Sequence, residues 1–154
     1  IAALSKNHQS TYNQIIRSVA IPLENFQDYC FWSSSFYTRN CIFENEKFEL
    51  ILLCWEKDQK TPIHDHGGEQ CWVKVIEGEF KETIYKSNEV SDFNILKSTL
   101  FKAGDIAYMI DFMGCHQLKN LSNQQALSLI DTQSRFVNHP FIMTQQKHLC
   151  NTKT

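Results

Sequence analysis

Two histidines separated by one residue, His64 and His66 in the segment Pro62-Ile63-His64-Asp65-His66, are the strongest candidates for chemistry in this sequence. Imidazole nitrogens suit zinc, iron, copper and nickel. In extended chain, side chains two apart share a face, so both rings can aim into one interior while Asp65 points away. An isolated HxH is also short and common, and a pair of solvated turn histidines explains it equally well. Further on, Gly104-Asp105 opens a strand that leads to Gly114-Cys115-His116 and Asn120, where His116 alone reads as an ordinary turn or core histidine. Arg39, in Tyr37-Thr38-Arg39-Asn40, carries a permanently charged fork that matches a carboxylate bidentately, although a surface ion pair is the commoner fate of an arginine. In extended chain Tyr37 and Arg39 share a face, so phenol and guanidinium can address one anion together.

Those groups need elements to position them. Residues 1–32 carry a helical pattern, with Tyr12, Ile15, Ile16 and Val19 ahead of Pro22, which suits a break between two short helices. From Tyr37 onward the pattern changes to short stretches rich in β-branched and aromatic residues, which predicts strands at Phe48–Trp55, Cys71–Ile76, Phe80–Tyr85, Phe93–Leu100, Asp105–Ile110, His116–Asn120 and Ala126–Ile130. Their even spacing, with Glu77-Gly78 and Ser87-Asn88 as turns, predicts a mainly β fold: an antiparallel barrel or double-sheet jelly roll behind a helical cap. Neither a linker nor an internal repeat divides the sequence, so residues 1–154 are read as one domain, with the cap at about 1–32 and the β-barrel at about 37–150.

Composition narrows the partners. The 154 residues are 42% hydrophobic and 21% charged, enough for one globular core and far from a disordered or collagen-like chain. Fifteen Lys and Arg against seventeen Asp and Glu give a formal charge of −2, leaving no basic field for a phosphate backbone, so nucleic acid is not an expected partner. Apolar runs such as Leu50–Trp55 are too short to span a bilayer, and Ile1-Ala2-Ala3-Leu4 soon gives way to polar residues, so neither a membrane span nor a signal peptide is expected. The six cysteines, 30, 41, 54, 71, 115 and 150, include no CxxC pair and mostly adjoin large apolar residues. They read as buried reduced thiols, and hence as those of a cytoplasmic protein, expected to be a monomer.

An early HxH followed by a single histidine on a later strand resembles the cupin superfamily, whose barrels bind a metal with those histidines. That resemblance makes His116 a third ligand beside His64 and His66, each supplying one nitrogen at about 2.0–2.2 Å. Most cupins add a glutamate a few residues after HxH; here Glu69 comes too early and Gln70 or Cys71 holds the usual place, so Glu69 is expected outside the ligand set. Three neutral imidazoles leave a divalent metal its full charge and open positions, which suits an anionic chelating substrate with dioxygen and favours iron(II) over zinc.

Four stretches narrow the resemblance: Phe36-Tyr37-Thr38-Arg39-Asn40, Leu52-Leu53-Cys54-Trp55, Ile63-His64-Asp65-His66 through Cys71 to Gly78 with Lys81-Glu82-Thr83, and Gly114-Cys115-His116 with Asn120. Together they resemble type I cysteine dioxygenase. The resemblance implies a mononuclear non-haem iron on His64, His66 and His116, with nickel or zinc as purification substitutes, and L-cysteine and dioxygen as substrates. It implies that Tyr37 and Arg39 contact the substrate carboxylate, and that Cys71 is a candidate thioether cysteine. No catalytic residue beyond the metal site is assigned, and the cavity is expected to include Tyr37 and Trp72.

The family's Ser-x-His-x-Tyr segment after the third ligand is matched here by Ser128-Leu129-Ile130-Asp131-Thr132, without its histidine and tyrosine. The departure is read either as genuine or as the omission of a loop of roughly a dozen residues, the second being preferred. The expected reaction is the oxidation of L-cysteine to cysteine sulfinic acid. The alternatives are a related mercapto-acid dioxygenase and a non-catalytic metal- or ligand-binding cupin.

Overall fold

The computed structural model describes residues 14–18, 20–45, 48–66, 70–87, 93–110 and 113–133. Residues 14–18 are helical, and a 3-10 helix follows at Leu23–Tyr29 with Pro22 at its N-cap. Proline fits there because its fixed φ and missing N–H cost nothing where the helix has no partner to offer. The break expected at Pro22 is therefore present; the earlier part of the cap lies outside the described residues.

Among the described residues eight strands follow: β1 (Thr38–Glu44), β2 (Phe48–Trp55), β3 (Gln70–Glu77), β4 (Glu79–Ser87), β5 (Phe93–Lys102), β6 (Ile106–Met109), β7 (Cys115–Asn120) and β8 (Ala126–Gln133). They form a five-stranded sheet in the order β1-β2-β8-β3-β6 and a three-stranded sheet in the order β5-β4-β7. The expected jelly roll is thus realised as two facing sheets. Seven strands fall where the apolar pattern placed them. The eighth, β1, was missed because a bulge between Cys41 and Phe43 breaks its alternation and its first residues are polar.

Gly78 alone connects β3 to β4 and carries the chain from one sheet to the other. Its φ is +93°, and a Cβ there would lie 2.6 Å from both Ala126 Cβ and Ser122 Oγ, so only glycine fits the crossing.

Alternation along the strands sorts side chains into two buried layers. Ile51, Leu53, Trp55, Cys71, Val73, Val75, Ala107, Ala126 and Ile130 of the larger sheet meet Phe80 and Leu118 of the smaller one. Leu52, Cys54, Leu127 and Leu129 face the other way, against Phe26, with Ile21 and Tyr29 alongside. The 3-10 helix segment therefore covers the outer face of β2 and β8, which explains why β2 reads as a continuous apolar run rather than an alternating one.

Two expectations need correction. Trp72 lies on the outer face of β3, its ring 5.0 Å from Tyr108, because Cys71 and Val73 take the inward positions. Cys41 is disulfide-bonded, whereas Cys30, Cys54, Cys71 and Cys115 are not. The cysteines are thus not all reduced thiols, and the compartment inferred from them loses that support. Among the described residues, no helix is long and apolar enough to cross a membrane.

Candidate metal centre

The segment from Gln59 to His64 runs antiparallel beside β7 without becoming a full strand. Asn120 N donates to Gln59 O at 2.9 Å, Thr61 N to Leu118 O at 2.9 Å, and Leu118 N to Thr61 Oγ1 at 3.0 Å. At its end His64 N donates to His116 O at 3.0 Å and His116 N to His64 O at 2.8 Å. This reciprocal pair sets two histidines from distant parts of the sequence side by side on one face. Asp65 is exposed and His66 returns inward, as the two-residue period requires.

The potential ligand atoms of His64, His66 and His116 all lie within 4.8 Å of one another. His66 Nε2 and His116 Nε2 are 2.9 Å apart. Two nitrogens each about 2.1 Å from one ion and at a right angle across it would be separated by about 3.0 Å, so this pair fits a shared metal. The outer nitrogens are engaged too. His64 Nδ1 is 3.0 Å from Pro62 O, and His116 Nδ1 is 2.9 Å from Glu82 Oε1. A carbonyl or carboxylate oxygen accepts, so both Nδ1 atoms carry the proton and both Nε2 lone pairs are left for a cation.

Electrostatics favour neutral rings. Burial lowers the pKa of His64 and brings that of His66 down to about 3; His116 and the Arg39 guanidinium add to both depressions, and His64 to that of His66. Neutral imidazole is the ligating form, so protons compete poorly with a metal here at neutral pH. The unfolded histidines take up protons below about 6.5 while the folded ones resist, so the metal-free protein is expected to lose stability as pH falls through that value toward about 3. A urea midpoint independent of pH across that window would contradict this.

Gly114 holds the approach to His116. Its φ is +103°, and a Cβ would lie 2.4 Å from the Tyr85 carbonyl oxygen. Gly114→Ala is expected to cost about 2 kcal/mol or more through its left-handed backbone and that clash, and to weaken metal binding by displacing the start of β7. Denaturant titration with and without metal checks both effects.

The other expected site residues occupy defined places. Arg39 pairs with Leu53, an inward residue of β2, so it too is on the inward face of edge strand β1. Arg39 is exposed, and its charge is among the lesser causes that lower the pKa of His64 and His66. Tyr37 packs against the inner core, stacked on Trp55 with ring centroids 4.5 Å apart. Trp55 Nε1 in turn donates to Ser128 Oγ at 3.0 Å. Glu69 lies outside the described residues. Glu82 was missed as a site residue, although its place between Phe80 and Ile84 on an inward-facing period of β4 was a legible signal.

Strand β8 is continuous through Gln133, pairing with both β2 and β3. Thr132 stands directly opposite Cys71. Ile130 is in the inner core, and Thr132 shares its face by strand alternation. The positions of the family's histidine and tyrosine are thus filled by an aliphatic residue and a threonine. The inward face of β8 offers Cys71 no phenol, so no thioether is expected across this strand pair. After incubation with iron, cysteine and dioxygen, the intact mass measured under full disulfide reduction should equal that of the reduced chain, with no loss of two hydrogen atoms.

The family model for cysteine dioxygenase type I matches residues 10–132. The chain belongs to the cysteine dioxygenase type I family. It is 38% identical over 101 residues to cysteine dioxygenase type 1 of Bos taurus, covering 60% of this chain and 48% of that protein. The Danio rerio protein of the same name is 34% identical over 98 residues, covering 60% and 49%. The chain therefore spans about half the length of the curated relatives it matches. Among solved structures, a Klebsiella pneumoniae protein with a double-stranded β-helix domain superposes with a TM-score of 0.59 at 19% identity, covering 75% of this chain and 90% of that one. A cupin superfamily protein of Desulfitobacterium hafniense gives 0.56 at 9% identity, covering 77% and 93%. At such identities these two speak for the cupin fold alone.

Proposed function

We propose that this chain provides the iron site of a thiol dioxygenase that converts L-cysteine to cysteine sulfinic acid. The observation that carries the reading is the convergence of His64, His66 and His116, in a chain of this family. Iron(II) held by those histidines would supply redox activity toward dioxygen and a positive charge for a thiolate, which zinc and neutral imidazoles respectively lack. The protein's own part is to fix a neutral ligand face with open positions and to orient the amino acid. Arg39 would hold the carboxylate at the mouth, and Tyr37, rigid against Trp55, would border it. Both dioxygen atoms end on sulfur, so no external reductant is consumed.

A second reading, a metal- or ligand-binding cupin without turnover, is favoured by Ile130 and Thr132 where the family carries histidine and tyrosine. Oxygen consumption by the iron-loaded protein separates the two. L-cysteine should be consumed with oxygen, well above 3-mercaptopropionate and cysteamine, with cysteine sulfinic acid as product. Metal binding without oxygen uptake for any of these thiols would leave the non-catalytic reading.

A further inference from the structure

Glu82 is a carboxylate at an inward position of β4, 4% exposed, on a buried face that it shares with Phe80, Leu118 and Asn120. Such a group is costly to bury unless it is paired. Its partner is His116, 3% exposed, through the 2.9 Å contact between Nδ1 and Oε1. The register makes the contact possible: Glu82 pairs with Leu118 and Ile84 with His116, so the carboxylate reaches the imidazole diagonally across adjacent strands. His64, by contrast, meets only the neutral Pro62 carbonyl at its Nδ1.

The two histidines are therefore unequal donors. A carboxylate accepting from Nδ1–H fixes the tautomer, holds the ring plane and raises the basicity of Nε2 more than a carbonyl does. We propose that Glu82 is a positioning residue for the metal centre. It supplies through His116 the negative charge that a directly ligating glutamate would bring, and so sets the affinity for the metal and its reduction potential. This inference rests on the metal-binding reading above and extends it to a residue outside the ligand set.

Glu82→Gln tests it with little change of volume, since the amide oxygen still accepts from Nδ1–H while the charge is gone. Cobalt(II) titrated into the metal-free protein and followed by its visible absorption is the first readout. The variant should bind one equivalent about ten- to hundred-fold more weakly than the wild type. The second readout is the iron(III)/iron(II) midpoint potential, which should rise, because loss of a nearby negative charge disfavours the more positive ion. A purely structural glutamate would leave that potential in place. Equal affinity and equal potential would overturn the role of Glu82 while leaving the metal site intact. If the wild type itself binds no cobalt(II), the metal reading fails, and the role of Glu82 with it.

A measurement on the unaltered protein guards against a variant that does not fold. In the zinc(II)-loaded wild type, nitrogen NMR should find His116 bound through Nε2, with an exchange-protected proton on Nδ1. Ligation through Nδ1, or a rapidly exchanging proton there, would overturn the proposal.

Discussion

His116→Ala is expected to abolish metal binding and, with it, all oxygen uptake above the uncatalysed rate, and to do so with a larger loss of stability than His66→Ala. His116 is the hub of the cluster, joined to His64 by two backbone hydrogen bonds, 2.9 Å from His66 Nε2 and 2.9 Å from Glu82 Oε1. Removing its ring leaves two imidazoles, which cannot enclose an ion on one face, and strands a buried carboxylate. A hydrogen bond to a charged group is worth about 1.5–3 kcal/mol, and the unpaired partner adds its own desolvation penalty. His66→Ala should remove the metal equally well but spare Glu82, so its metal-free protein should unfold later in denaturant. Metal content by elemental analysis and urea unfolding of the metal-free forms supply the comparison. A His116→Ala protein that retains one equivalent of iron would remove this histidine from the site.

The contrast between the two variants reflects which parts of the site could be read in the sequence. The pair His64 and His66 was visible because its period matches extended chain, and their half-buried positions around an exposed Asp65 follow from that period. His116 was reached only through family resemblance. Nothing local distinguishes it from a core histidine, since its meaning depends on a backbone pairing with residue 64 across a large sequence separation. Glu82 escaped notice for the same reason: a carboxylate between Phe80 and Ile84 shows that something inward needs a charge, but its partner sits on another strand.

For the fold, long apolar stretches gave clear strands because burial on one or both faces imposes its own pattern. Strand β1 obscured that pattern with a bulge and a polar beginning. Trp72 was misplaced by a parity error of one residue, for β3 turns Cys71 and Val73 inward and so sends Trp72 out. Register also gives the departure in β8 its physical content. The motif match puts Thr132 at the tyrosine's position, and the pairing of Thr132 with Cys71 shows that this position faces the thiol.

Arg39→Ala should lower kcat/KM for L-cysteine by roughly thirty- to thousand-fold, corresponding to about 2–4 kcal/mol of lost carboxylate recognition. The lower end is favoured, because Arg39 is exposed and water screens what it offers. Its place on the inward face of β1, opposite Leu53, keeps it on the same side as Tyr37 and within electrostatic reach of His64 and His66. The direction of that influence makes the experiment more discriminating. Arg39 disfavours positive charge on both histidines, so its removal cannot weaken their hold on a cation by Coulombic means; metal affinity should stay level or rise as cysteine turnover falls. Arg39→Lys should recover only part of the loss, since an ammonium offers charge without the planar fork. Cysteamine has no carboxylate to lose, and its slow turnover should change little. Unchanged cysteine kinetics in Arg39→Ala would detach this arginine from substrate recognition, and an equal fall for cysteine and cysteamine would assign it to maintaining the site instead of reading the amino acid.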